Sequence, residues 1–260
     1  MAKDPLYVTL IQTGLEWENI DKNLALFSEK LDQINDATDL VVLPEMFTTG
    51  FSVHSVELAE AMNGKTMQWM AQKAREIHCC ITGSMIIREH DKIYNRMIWM
   101  LPDGSFSCYD KRHPFSISWE DKHFTGGSQR KIFEYSGWRF CPQICYDLRF
   151  PVWSRNRGDY DALIYVANWP DPRRDVWNAL LLARALENQA YTIGVNRTGT
   201  DGQNLSYAGD SQVIDPKGNI LSNFKPYTDC METIPLSMEE LARFREKFPV
   251  GRDADGFELL

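Results

Sequence analysis

Short unbroken apolar runs alternate along this chain with longer stretches in which apolar residues recur every three or four positions. The runs at 7–12, 40–43, 81–87, 95–101, 106–109, 132–135, 138–144, 161–167, 191–196 and 210–214 predict strands. The helical rhythm covers four stretches. Residues 20–34 carry Leu24, Phe27, Leu31 and Ile34 on one face, and 66–77 carry Met67, Met70, Ala74 and Ile77. Residues 175–190 place Trp177, Leu180, Leu181, Arg184, Ala185 and Asn188 at helical spacings, and 238–248 form an amphipathic tail helix. Turns are marked by Pro102-Asp103-Gly104, Ser136-Gly137 and Asp215-Pro216-Lys217-Gly218, and 115–127 and 198–204 read as loops. The opening β-α-β order favours parallel strands with a right-handed crossover, whereas 81–109 and 132–144 read as antiparallel. No repeat, linker or shift in composition divides the chain, so one mixed α/β domain over 1–260 is expected.

A chain of 260 residues with 43% hydrophobic and 12% aromatic content can bury a large core. Its net charge of -8 and the lack of a basic block argue against a nucleic-acid partner, and any anionic substrate must be gripped by local cations. The start, Met-Ala-Lys-Asp-Pro, has no long apolar region and no run approaches membrane-spanning length, so no membrane partner and a cytoplasmic setting are expected. Cys79, Cys80, Cys108, Cys141, Cys145 and Cys230 show no CxxC pair or regular spacing, which indicates neither a disulfide framework nor a zinc site.

Chemistry-bearing residues gather at the ends of predicted strands: Glu45, Lys111, Cys145 and the Asn168-Trp169-Pro170 cluster. In parallel sheets the working residues sit beyond the carboxyl ends of strands. The strand from Trp138 to Ile144 delivers Cys145 into a polar turn, and Pro151 starts a helix at once. Such an elbow lifts the thiol above the sheet edge and leaves the Tyr146 N–H facing the same space, where an oxyanion could be held. A cysteine nucleophile needs a base and a charge stabiliser. A glutamate raised by desolvation can take the thiol proton and later activate water, and a lysine can hold the oxyanion with the Tyr146 N–H. Spacing alone does not join these residues.

Leu43-Pro44-Glu45-Met46-Phe47, Asp110-Lys111-Arg112 and Ile144-Cys145-Tyr146-Asp147-Leu148-Arg149-Phe150-Pro151 together resemble the three signature segments of the nitrilase, or carbon–nitrogen hydrolase, superfamily, in that family's order. The resemblance implies Glu45 as general base, Lys111 as stabiliser of the tetrahedral intermediate and Cys145 as nucleophile. It also implies a second glutamate that orients the lysine, best matched by Glu120, with Asp121 as the alternative. The implied fold is an α/β nitrilase-like αββα sandwich: two mixed sheets face to face with outer helices, the four layers completed on homodimerisation. No cofactor and no metal are implied.

Within the superfamily the chain is most similar to the omega-amidase branch, through residues 44–51, 166–170 and 194–199. That branch acts on a small-molecule amide, 2-oxoglutaramate or 2-oxosuccinamate, through a cysteine thioester. Arg173 is the expected cation for the substrate carboxylate, with Arg174 and Arg197 as alternatives, while Arg149 is expected to hold the elbow. Tyr146, Phe47, Phe115, Asn168 and Trp169 are expected to line the pocket. Three other readings stay open: an amidase or nitrilase for another small substrate, a catalytically silent binding subunit, and a thiol redox sensor at Cys145.

Overall fold

The computed structural model describes residues 2–34 and 37–258, so the outer limits of the 1–260 domain expectation lie outside the described residues. The strands in chain order are β1 (Leu6–Gln12), β2 (Leu40–Val42), β3 (Cys80–Glu89), β4 (Lys92–Met100), β5 (Phe106–Asp110), β6 (Phe133–Tyr135), β7 (Trp138–Ile144), β8 (Ala162–Ala167), β9 (Tyr191–Asn196), β10 (Thr198–Thr200), β11 (Ser206–Ala208), β12 (Gln212–Ile214) and β13 (Cys230–Leu236). The helices are α1 (Ile20–Asp32), α2 (Ser55–Leu58), α3 (Lys65–Glu76), α4 (Glu120–His123), α5 (Pro151–Ser154), α6 (Arg174–Asn188) and α7 (Met238–Lys247).

One sheet runs in the order β13-β1-β2-β3-β4-β5 and the other in the order β12-β9-β8-β7-β6, with β10 and β11 pairing separately. β1, β2 and β3 are parallel, and the two antiparallel steps through β4 turn β5 back into the same direction. β7, β8 and β9 are likewise parallel. The carboxyl ends of β2, β5, β7 and β8 carry Glu45, Lys111, Cys145 and Asn168, and that shared edge assembles the site.

Alternate residues of the parallel strands face inward and make the core between the sheets: Val8, Leu10 and Val42 from one, Ile144, Ile164, Val166 and Ile193 from the other. The opposite faces are covered by helices. Leu24, Phe27 and Leu31 of α1 and Met67 and Met70 of α3 pack on Val41 and Ile81, and Trp177, Leu181 and Ala185 of α6 pack on Leu163 and Tyr165. All four layers therefore close within one chain. This corrects the expectation that dimerisation completes them: each sheet has outer helices of its own.

Helix ends follow local chemistry. The Asn19 side chain accepts the Lys22 N–H at 3.0 Å to start α1, and Gln189 in a left-handed conformation stops α6 at Asn188, short of the expected 190. β13 escapes the hydrophobic pattern because it is an edge strand, half exposed, with Pro235 within it. Among the described residues no helix is long and apolar enough to cross a membrane.

Candidate active site

Glu45 sits on a turn that β3 pins from below. The Met46 N–H donates to Ser84 Oγ at 2.9 Å and the Phe47 N–H to the Ser84 carbonyl at 3.0 Å, while Met46 adopts φ +42°. Lys111 prolongs β5: its N–H donates to the Asn95 carbonyl at 3.0 Å and its carbonyl accepts the Gly127 N–H at 2.8 Å. That second contact requires glycine, since a Cβ at 127 would lie 2.3 Å from the Asp110 carbonyl oxygen. Cys145 leaves β7 in a left-handed conformation, φ +46°, and opens a 3₁₀ turn, Cys145–Arg149, before Pro151 begins α5. The elbow inferred from sequence is present.

The side chains converge. Lys111 Nζ donates to Glu45 Oε1 at 2.9 Å and to Glu120 Oε2 and Oε1 at 2.9 and 3.1 Å, with all three residues buried. Asn95 Nδ2 reaches the same two carboxylates at 2.8 and 3.3 Å, and the Asn168 N–H donates to Glu45 Oε2 at 2.7 Å. The Cys145 thiol lies within electrostatic reach of both Glu45 and Lys111. Burial and the Glu45 charge push this thiol well above its usual range, with Lys111 opposing, so the resting sulfur is protonated. Burial also works against the Lys111 ammonium, but Glu120 and Glu45 outweigh it and hold the lysine above its ordinary value. Glu120 is raised by burial and by the Glu45 charge, against the pull of Lys111. The arrangement keeps one firm positive charge beside a protonated thiol.

These groups open onto a cavity of about 350 Å³ lined by Lys111, Cys145, Tyr146, Phe115, Asn168, Trp169 and Arg173, among others. Phe47 is not among them: it is fully buried under α1 and α3, its ring 5.4 Å from Phe27 and 5.9 Å from Trp69. This corrects its expected place in the wall, because the turn after Glu45 sends Phe47 back onto its own sheet. Phe51 takes that role, its ring centroid 5.5 Å from Lys111 Nζ. Asp121 is exposed and pairs with Lys122, which leaves Glu120 as the lysine's partner. Arg174 is bound to Asp210, and Arg197 is buried, donating to the carbonyls of Thr198, Leu15 and Thr200. Arg149 does not hold the elbow. It lines the cavity over the Trp169 ring at 5.1 Å, and the elbow is tied instead by Arg184 of α6, which donates to the Leu148 carbonyl at 2.6 Å. Arg173 lies over the Phe115 ring at 5.5 Å.

Asn95 was not singled out from sequence, although an amide inside a strand whose only other polar residues past Ile93 are Tyr94 and Arg96 is a visible signal. The wall formed by Asp201 and Tyr207, joined at 2.8 Å, had no such signal, since both lie on the 198–208 hairpin read mostly as loop. Among the described residues no group of three or more His, Cys, Asp or Glu is placed to hold a metal ion.

Known proteins share this arrangement of fold and sequence. The chain is 44% identical to omega-amidase YafV of Escherichia coli K12 over 98% of each chain, and 34% identical to 2-oxoglutaramate amidase of Bacillus subtilis over 94% of this chain and 93% of that one. Among solved structures, XC1258 of Xanthomonas campestris, a CN-hydrolase superfamily protein with an arsenic adduct in its active site, superposes with a TM-score of 0.97 at 39% identity, covering 99% of this chain and all of that one. The carbon-nitrogen hydrolase profile matches residues 7–244, and the chain belongs to that family.

Proposed function

We propose that the chain is an omega-amidase that hydrolyses the terminal amide of 2-oxo dicarboxylic acid monoamides, 2-oxoglutaramate and 2-oxosuccinamate, to the 2-oxo acid and ammonia. The observation that carries this is the mixed lining of one cavity. The Cys145 thiol and Lys111, the latter held by Glu45 and Glu120, share it with Arg149 and Arg173, which have no carboxylate partner among the described residues. In a chain of net charge -8, unpaired guanidinium groups in one cavity suit an anionic substrate. The relatives named omega-amidase and 2-oxoglutaramate amidase support the same substrate class.

In this reading Glu45 takes the thiol proton as sulfur attacks the amide carbon, and Lys111 with the Tyr146 N–H holds the negative oxygen. The proton passes to the departing nitrogen, ammonia leaves, and a thioester remains on Cys145. Glu45 then draws a proton from water, whose oxygen replaces sulfur at the acyl carbon, and the dicarboxylate is released with the thiol restored. Glu120 fixes Lys111 throughout. The reading includes a cytoplasmic homodimer. All six cysteines are free, as a reducing compartment keeps them, and Leu182 and Leu186 on α6 are 38% and 47% exposed, apolar area suited to a second copy. Cell fractionation and sedimentation check both points; a membrane pellet or a single-chain mass contradicts them.

The deciding experiment measures ammonia release from 2-oxoglutaramate beside glutamine, asparagine and a simple aliphatic nitrile. Turnover of the 2-oxo amide that falls at least ~1,000-fold in Cys145→Ala is the expected result. A preference for the nitrile or for glutamine overturns the substrate, and turnover that survives in Cys145→Ala overturns the nucleophile.

A further inference from the structure

A third carboxylate stands beside the site without lining the cavity. Asp147 is fully buried, two residues past Cys145, and accepts four hydrogen bonds. Its Oδ2 takes the Tyr109 hydroxyl at 2.7 Å and the Ile144 N–H at 3.0 Å. Its Oδ1 takes the His113 N–H at 3.0 Å and lies 2.8 Å from His113 Nδ1. The Tyr109 oxygen is itself saturated, accepting from Trp153 Nε1 at 2.9 Å and the Arg112 N–H at 3.2 Å. Burial and the Asp147 charge push the Tyr109 phenol well above its usual range, so it remains a donor. The His113 ring stacks on Phe150 with centroids 3.9 Å apart.

The origin of these donors gives the cluster its meaning. Tyr109, Arg112 and His113 bracket Lys111 at the end of β5, in the six-stranded sheet. Ile144 and Asp147 bracket Cys145 at the end of β7, in the other sheet. The two carboxylates that grip Lys111 follow β2 and β5, and of these Glu45 reaches the other sheet through the Asn168 N–H at the end of β8, so the Asp147 cluster is a separate tie across the gap and the one that joins the Lys111 segment directly to the Cys145 segment.

We infer that Asp147, with His113, is a positioning residue that sets the separation of Lys111 and Cys145 across the gap between the two sheets. The inference rests on the roles given above to Lys111 and Cys145. A carboxylate is required at this point. An asparagine amide turned either way would aim its NH₂ at a backbone N–H, that of Ile144 or that of His113. Misplacement by an ångström at a reacting centre costs about 100-fold in rate.

The test uses the full chain with Asp147→Asn, Tyr109→Phe, His113→Gln and the double variant of the last two. Each is assayed for ammonia release and for the rate at which iodoacetamide labels Cys145, read by mass spectrometry at fixed pH. Expected are a kcat lower by about 100-fold in Asp147→Asn and about 10-fold in each milder variant, KM within about 3-fold of the parent, and slower labelling in the same order. The double variant should lose less than the product of its singles, because both act through one carboxylate. Folded Tyr109→Phe and His113→Gln proteins with parental kcat and labelling overturn the inference, as does a rise in KM at constant kcat, or strict multiplicativity. If Asp147→Asn does not fold, the two milder variants and their double decide. If the parent hydrolyses no amide, the functional reading fails while the labelling rates still judge the positioning role.

Discussion

Lys111 is held between Glu45 and Glu120, both at 2.9 Å, and burial together with the Glu45 charge keeps the neighbouring thiol protonated. The consequence is measurable. A thiol whose value is raised in the folded protein holds its proton through neutrality and yields thiolate only as pH climbs past the ordinary range. Alkylation of Cys145 in the resting protein should therefore keep rising beyond pH 9, and a plateau below pH 8 would contradict a thiol held protonated by desolvation and the Glu45 charge. Arg173 offers a second outcome at this scale. Arg173→Ala should raise KM for 2-oxoglutaramate at least ~10-fold while leaving hydrolysis of an uncharged amide near the parental rate, since a charge-assisted contact to one carboxylate is lost. Equal losses on both substrates would place Arg173 outside recognition. The strand-end positions of Glu45, Lys111 and Cys145 were legible from the runs before them, but only the resemblance to the nitrilase superfamily joined the three into one proposed site. Arg149 and Phe47 were misplaced for the opposite reason: where a side chain points after a turn depends on backbone conformations, φ +42° at Met46 and +46° at Cys145, that composition does not encode.

The rhythm of apolar positions located β1, β3, β4, β7, β8, β9, α1, α3, α6 and α7 to within a few residues, since each is covered on at least one face by the core. The single turns α2 and α4 span too few residues to show a period, and β13 draws its place from pairing with β1 rather than from its own hydrophobicity. The contact of α6 with its sheet shows how closely the layers fit. A Cβ at Gly194 of β9 would lie 2.5 Å from a Leu181 methyl and 2.9 Å from the Trp177 ring. Gly194→Ala should accordingly cost about 1–3 kcal/mol in denaturant unfolding by overpacking. An unchanged midpoint would mean that α6 can lift from the sheet without penalty.

Two sheets that each carry their own helices leave one edge where strand ends from both meet, and the whole arrangement of layers serves to bring Glu45 and Lys111 from one sheet against Cys145 and Asn168 from the other. The sequence pattern announced the sheets but not which faces would oppose, because that follows from tertiary packing of faces that look alike in composition. The left-handed backbone at Cys145 has a price at this scale. An L-residue held there costs about 1–2 kcal/mol relative to glycine. Cys145→Gly should thus melt above Cys145→Ala, with both variants expected to be inert on the proposed mechanism, and equal melting temperatures would show that the elbow carries no strain. On the proposed mechanism the nucleophile thus occupies a turn that backbone sterics alone would give to glycine. Selection for an unstrained turn would erode it, and only continued demand for turnover keeps a sulfur there.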